Sequence, residues 1–177
     1  MRLVSPSLEY RAAFFALYQD FEDNDSINAE YYREGVDDFD AYLQRLTDEA
    51  NGTNLRQDYV PCSHFWMVDT KGNILGVIRV RHTIDNPFLC FEGGHIGYDI
   101  APSYRALGHG KTMLKLALPI AKSLGISKAL ITADEKNHAS RGVIEANGGE
   151  FIDIVMGKVF PYPITRYWVI CEADTCS

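Results

Sequence analysis

Apolar residues recur at near-helical steps between residues 7 and 22, at Leu8, Ala12, Phe15, Tyr18 and Phe21, and Ser7 stands where an N-cap belongs. The spacing predicts an amphipathic helix, ended by the acidic run "EDNDS". Between Ala29 and Ala50 the same period returns at Tyr31, Tyr32, Val36, Phe39, Tyr42, Leu43 and Leu46, and Asn51-Gly52 supplies a stop. The first third of the chain therefore reads as two helices.

The period then changes. "HFWMVDTKGNILGVIRVRHTI" holds two β-rich runs around Lys71-Gly72-Asn73, which predicts a hairpin with a glycine turn. A third run, "GGHIGYDIAP", alternates up to Pro102. After it come a helix over about 109–124, the strand "KALITA", a helix over about 138–146, and the strands "EFIDIVM" and "TRYWVIC". The order α-α-β-β-β-α-β-α-β-β is that of an α/β sheet flanked by helices. Trp66, Tyr167 and Trp168 read as sheet core.

Composition narrows this picture. With 177 residues, 46% hydrophobic and 23% charged, the chain can bury one sizeable core, and no repeat or low-complexity linker interrupts it, so a single domain over 1–177 is expected. A formal charge of −7 argues against a broad nucleic-acid surface, leaves room for a small anion pocket and suits a basic substrate better than an acidic polymer. The start "MRLVSPSLEYRAAFF" does not read as a signal peptide, and no apolar run approaches the roughly 20 residues that span a bilayer. Cys62, Cys90, Cys171 and Cys176 form no CxxC pair; Cys62 with His64 only hints at metal-ligand spacing. No metal site is expected, and reduced, mostly buried thiols in a cytoplasmic protein are the simpler reading. His64, His82 and His138 show no arrangement with a nucleophile.

The chemistry concentrates in "YRALGHGKTMLK", residues 104–115. Two glycines flank one residue at the start of an apolar helix, where bare backbone N–H groups make an anion site. Gly110-Lys111-Thr112 imitates the end of a P-loop, but that motif needs a glycine five residues before its second glycine, and Arg105 stands there. A dinucleotide fingerprint fails at Met113, where its third glycine would fall. Downstream, in "NHASRGVIEANGG", Asn137 follows a strand and can either cap the helix or reach a ligand between strand ends.

These two segments resemble the GNAT acyltransferase superfamily: "RALGHG" is similar to its acetyl-CoA loop, R/Q-x-x-G-x-G/A, and "NHAS...IEANGG" to its N-x-x-S/A helix. The resemblance covers roughly residues 64–170, and "GGHIGYDIAPSYR" resembles a little-characterised bacterial branch of predicted acetyltransferases. It implies a GNAT fold with a mixed central sheet of about six to seven strands, splayed at the acetyl-CoA site. It also implies that the N–H groups of Leu107, Gly108, His109, Gly110 and Lys111 receive the pyrophosphate, with Arg105 either adding charge or fixing the start of the loop. The N–H of Tyr98 or Ile100 would hold the acetyl carbonyl, and Asn137 and Ser140 would complete the wall.

Deprotonating an alkyl amine at neutral pH costs about 4.6 kcal/mol, so the same resemblance calls for a base, and Glu92 and His95 sit where the superfamily often carries one. Strict strand alternation would send those two to opposite faces. Many GNAT enzymes also have a tyrosine seven residues after the helix asparagine, where it protonates the departing thiolate; here that position is Ile144. The substitute donor would be Tyr98, Tyr104 or His95, or the thiolate would leave to solvent. The expected activity is acetyl transfer from acetyl-CoA to a primary amine of a small molecule or peptide by direct attack, with no nucleic-acid or membrane partner, and a homodimer is compatible with it. The alternative is a non-catalytic acyl-CoA-binding module of the same fold.

Overall fold

The structure is a computed structural model, and it describes residues 1–172. Among the described residues, seven strands lie in two sheets. The first has the order β1 (Arg2–Val4), β2 (Cys62–Val68), β3 (Ile74–Arg81), β4 (Ile96–Ile100), and the second β5 (Lys128–Asp134), β7 (Pro163–Ile170), β6 (Glu150–Met156). Every ladder within a sheet is antiparallel. The expected six to seven strands are present, and the expected splay is the divide between β4 and β5.

That divide is pinned at one end. The backbone N–H of His95 donates to the Leu130 carbonyl at 2.7 Å, and the Leu130 N–H donates to His95 Nδ1 at 2.9 Å. Gly94, at φ +65°, lets the chains come so close that a Cβ there would lie 2.5 Å from the Leu130 oxygen. Beyond this point no ladder joins the strands.

The β2–β3 hairpin is buried on both faces, which explains its nearly continuous apolar run. Met67, Ile78 and Val80 face α5 (His109–Ser123) and share a core with Met113, Leu114, Ile131 and Tyr167. Trp66, Val68 and Val77 face the other way, into an aromatic core with Phe14, Phe21, Tyr32, Phe39 and Tyr42. Asp69 sets the hairpin turn, its Oδ1 accepting from Lys71 N–H at 2.8 Å and Asn73 N–H at 2.9 Å.

The helical third differs from its pattern. The first helix, α1 (Arg11–Asn24), starts after a 3-10 turn, and the Ser7 hydroxyl donates to Glu9 instead of capping. The expected single helix over 29–50 is broken into α2 (Ser26–Ala29), a 3-10 turn, α3 (Arg33–Asp37) and α4 (Phe39–Asn51). Asp38 makes the last break: it is extended at φ −148°, and its Oδ1 accepts from Ala41 N–H at 3.0 Å as the α4 N-cap. The short strand β1 carries no alternation long enough to show in sequence. Trp168 is half-buried under Lys128 rather than core. Cys62 and Cys171 are buried and Cys90 is exposed, while Cys176 lies outside the described residues.

Candidate active site

The loop before α5 turns twice through left-handed backbone, at Ala106 (φ +60°) and Gly108 (φ +81°), and so aims the N-terminus of a 15-residue helix at open space. The first long helical bond runs from Thr112 N–H to the Gly108 carbonyl at 3.2 Å, so the preceding N–H groups of His109, Gly110 and Lys111 have no intrahelical acceptor. Leu107 and Lys111 are exposed. The two glycines do different work. A Cβ on Gly108 would meet nothing within 4 Å, whereas one on Gly110 would lie 2.9 Å from Val143 Cγ2 on α6 (His138–Ala146). Gly108 keeps the ligand side clear, and Gly110 lets α5 pack against α6.

Arg105 faces away from this N-terminus. Its Nε donates to the Ile100 carbonyl at 3.0 Å, and its terminal nitrogen meets Asp25 Oδ2 at 2.6 Å. Of the two expected roles, the geometry displays the fixing of the loop against the helical third. His109 stacks edge-on to Tyr104 at 6.3 Å, and its Nδ1 is buried without a partner among the described residues.

Strand β4 presents bare backbone to the divide. Ala101 N–H donates to the Leu75 carbonyl at 3.0 Å and Arg81 N–H to that of His95 at 2.8 Å, which makes 95, 97, 99 and 101 the positions bonded to β3. The N–H groups of Tyr98 and Ile100 therefore point away from β3, into the divide. The Tyr98 side chain crosses the same space, its hydroxyl 2.9 Å from Ser140 Oγ and 3.1 Å from the Ser140 carbonyl. Burial pushes its phenol up to about 12. Asn137 caps α6, its Oδ1 accepting from Ser140 N–H at 3.0 Å.

Neither expected base lies on a strand. Glu92 lies within a π-helical turn (Leu89–Gly93), and His95 directly precedes β4. The buried Glu92 carboxylate accepts from the N–H groups of Lys158 (2.7 Å), Val159 (3.1 Å) and Phe160 (2.9 Å). Burial pushes its pKa up, and those three donors outweigh burial and hold it below the usual value. His95 spends its Nδ1 lone pair on Leu130, which places its proton on Nε2; burial and Arg81 hold it below the usual imidazole value. Ile144 is wholly buried, with Gly149 packed on it, so its side chain faces the core and not the divide.

Two cavities share a wall on β3. A pocket of about 200 Å³ in the divide includes Gly97, Tyr98, Thr132 and Ser140. A larger one, about 630 Å³, lies between the helical third and β2–β4. Both are lined by Arg79, Arg81, Phe88 and Phe160.

The polar residues of the larger cavity are ones that sequence reasoning missed. Asp99 Oδ2 accepts from Tyr32 at 2.8 Å and from Arg79 at 2.9 Å. Burial opposes the charge of Arg79, and Asp99 more than offsets it, holding the guanidinium above its ordinary value. His64 Nε2 lies 2.7 Å from Glu49, which also pairs with Arg45. A signal existed in "VIRVRH", where two arginines two residues apart share one face of an otherwise apolar strand.

A splayed α/β sheet with bare strand amides beside a bare helix N-terminus is the architecture of an acyl-CoA-dependent transferase. The family model described as Acetyltransferase (GNAT) domain matches residues 1–150, and the chain belongs to that family. The family's cosubstrate is acetyl-CoA, and this chain is an acetyltransferase. No curated protein matches the sequence significantly.

Solved structures share the fold. A chimera of the spermidine N-acetyltransferase SpeG from Vibrio cholerae and hSSAT is 15% identical, covers 96% of each chain and has a TM-score of 0.62. RimJ from Mycobacterium smegmatis, in complex with CoA-disulfide, is 14% identical over 95% of this chain and 80% of its own, with a TM-score of 0.69. The self immunity acetyltransferase MccE, in complex with acetyl-CoA and AMP, is 14% identical over 95% and 91%, with a TM-score of 0.68. Among the described residues no helix is long and apolar enough to cross a membrane.

Proposed function

We propose that the protein acetylates a primary amine of a small molecule or peptide, bound in the larger cavity, by direct attack on acetyl-CoA held in the divide. The observation that carries this reading is the wall of Arg79, Arg81, Phe88 and Phe160 that the two cavities share, the smaller of them also lined by Tyr98, whose backbone N–H faces the divide. The residues present fit the cosubstrate: the N–H groups of 109–111 have no intrahelical acceptor and suit a pyrophosphate, and the 98 and 100 amides face the divide. Acetyl-CoA supplies the activated thioester. Tyr98 N–H polarises its carbonyl and stabilises the negative charge that develops on oxygen. Arg105 holds the loop, Tyr104 and His109 wall its base, and Asn137 and Ser140 hold the far side, with Ser140 fixing the Tyr98 ring.

Asp99 Oδ1, free of the contacts made by Oδ2, orients the acceptor ammonium, and its proton leaves through water. Glu92 and His95 act as positioning residues, one clamping the 157–162 loop and the other the closed end of the divide. A proton transfer from a phenol near 12 to a thiolate whose own thiol sits near 8.5 is uphill by roughly 5 kcal/mol, so the thiolate departs to solvent and not by way of Tyr98.

A single domain over 1–177 and a cytoplasmic location, suited to the reduced thiols Cys62 and Cys171, belong to the same reading. So does a homodimer through edge strand β6, which exposes Phe151, Ile152, Ile154 and Met156. The test is CoA titration by calorimetry together with thiol release over a panel of amines. Saturable turnover with N-acetylated product supports it; CoA binding with no turnover of any amine returns the binding-module reading, and no CoA binding removes the site.

A further inference from the structure

Charges around the larger cavity pair off almost completely. Arg79 is matched by Asp99, and Arg45 and Arg56 by Glu34 and Glu49. His64 lies against Glu49 and is held below the usual imidazole value by burial, so it is neutral near pH 7. Glu30 and Asp58 are exposed at the margin. Arg81 alone among these cations has no carboxylate partner among the described residues: its one donating nitrogen meets the carbonyls of Gly93 (3.3 Å) and Gly94 (3.1 Å). It is half-buried, sits where both cavities share a wall, and keeps its remaining guanidinium donors for a ligand.

A guanidinium drawn out of water without a counter-charge is costly, and a bound anion offsets that cost. Among the buried and half-buried groups, Arg45, Arg79 and Arg81 against Glu49 and Asp99, the balance is one positive charge. Once the acceptor amine has lost its proton and can attack, a carboxylate matches that charge, whereas a phosphate at about −1.5 to −2 near pH 7 would leave excess negative charge beside Asp99 and Glu49. We therefore infer that the acceptor is an amine that also carries a carboxylate, and that Arg81 is the residue that selects it. This rests on the acetyltransferase reading of the site, and it departs from the basic substrate that the net charge of −7 suggests, because the residual charge inside the cavity has the opposite sign.

The experiment uses the full chain, acetyl-CoA, and acceptor pairs differing by the carboxylate alone: lysine and cadaverine, arginine and agmatine, phenylalanine and phenethylamine. Phosphoethanolamine against ethanolamine forms a phosphate arm. The carboxylate member of at least one pair should show kcat/KM higher by about tenfold or more, and Arg81→Met should abolish that preference through KM while leaving CoA affinity unchanged. Arg81→Lys should retain part of it. Decarboxylated amines that do as well in every pair, a preference that survives Arg81→Met, or phosphoethanolamine favoured above every carboxylate would each overturn the inference. If no pair turns over, the same pairs are titrated into the CoA-loaded protein, and equal or absent binding overturns it as well. Loss of CoA binding in the unaltered protein is a separate result, and it removes the underlying site.

Discussion

The amide cluster at the start of α5 comes from five consecutive residues, 107–111, while the larger cavity gathers Tyr32, Arg45, Arg56, Arg79 and Asp99 from five separate stretches. The first is made of backbone, so its demands appear locally as glycines and a helix start. The second is made of side chains whose charges are meaningful only beside their partners. In the proposed function the first holds the cosubstrate and the second selects what is acted upon.

The charge pairing of the larger cavity depends most on Asp99. Asp99→Ala should destabilise the protein by about 3 kcal/mol in urea unfolding, because it leaves Arg79 without a carboxylate, and adding Arg79→Met should recover part of the loss. A change below about 0.5 kcal/mol would mean that the cavity charges are solvated and independent.

The two glycines of "GHG" sharpen the contrast within the amide cluster itself. Gly110→Val should cost about 2 kcal/mol of stability by overpacking Val143, should be relieved by Val143→Ala, and should leave the CoA affinity of the folded protein nearly unchanged. Gly108→Val should cost about 1–2 kcal/mol through its left-handed backbone and should also weaken CoA about tenfold, since its methyls enter the ligand side. Equal effects on CoA from both variants would erase the distinction.

The smallest effect is a slope. Glu92 has its pKa lowered by three backbone donors, so its stabilisation is complete above the unfolded value near 4.5 and fades as pH falls through the lower folded value. Acid unfolding of Glu92→Gln should therefore be flatter below pH 4.5, with activity at neutral pH set by how well the 157–162 loop stays in place. An unaltered acid profile would remove the clamp.

By itself the sequence determined the β2–β3 hairpin, both helices of the second half, and the glycine-flanked amide cluster, because hydrogen bonds and side-chain periodicity over a few residues impose each of them. It also carried the family, through "RALGHG" and the helix that starts at Asn137. Only the tertiary structure decided that Glu92 belongs to a backbone clamp 66 residues away, that His95 spends its lone pair on Leu130, and that Ile144 faces the core. Alternation could not place Glu92 and His95, since a π-helical turn and a glycine at positive φ intervene before β4 begins. Arg81 was decided there too. A charge is counted the same way wherever it occurs in a sequence, but its effect depends on which opposite charges the fold sets beside it.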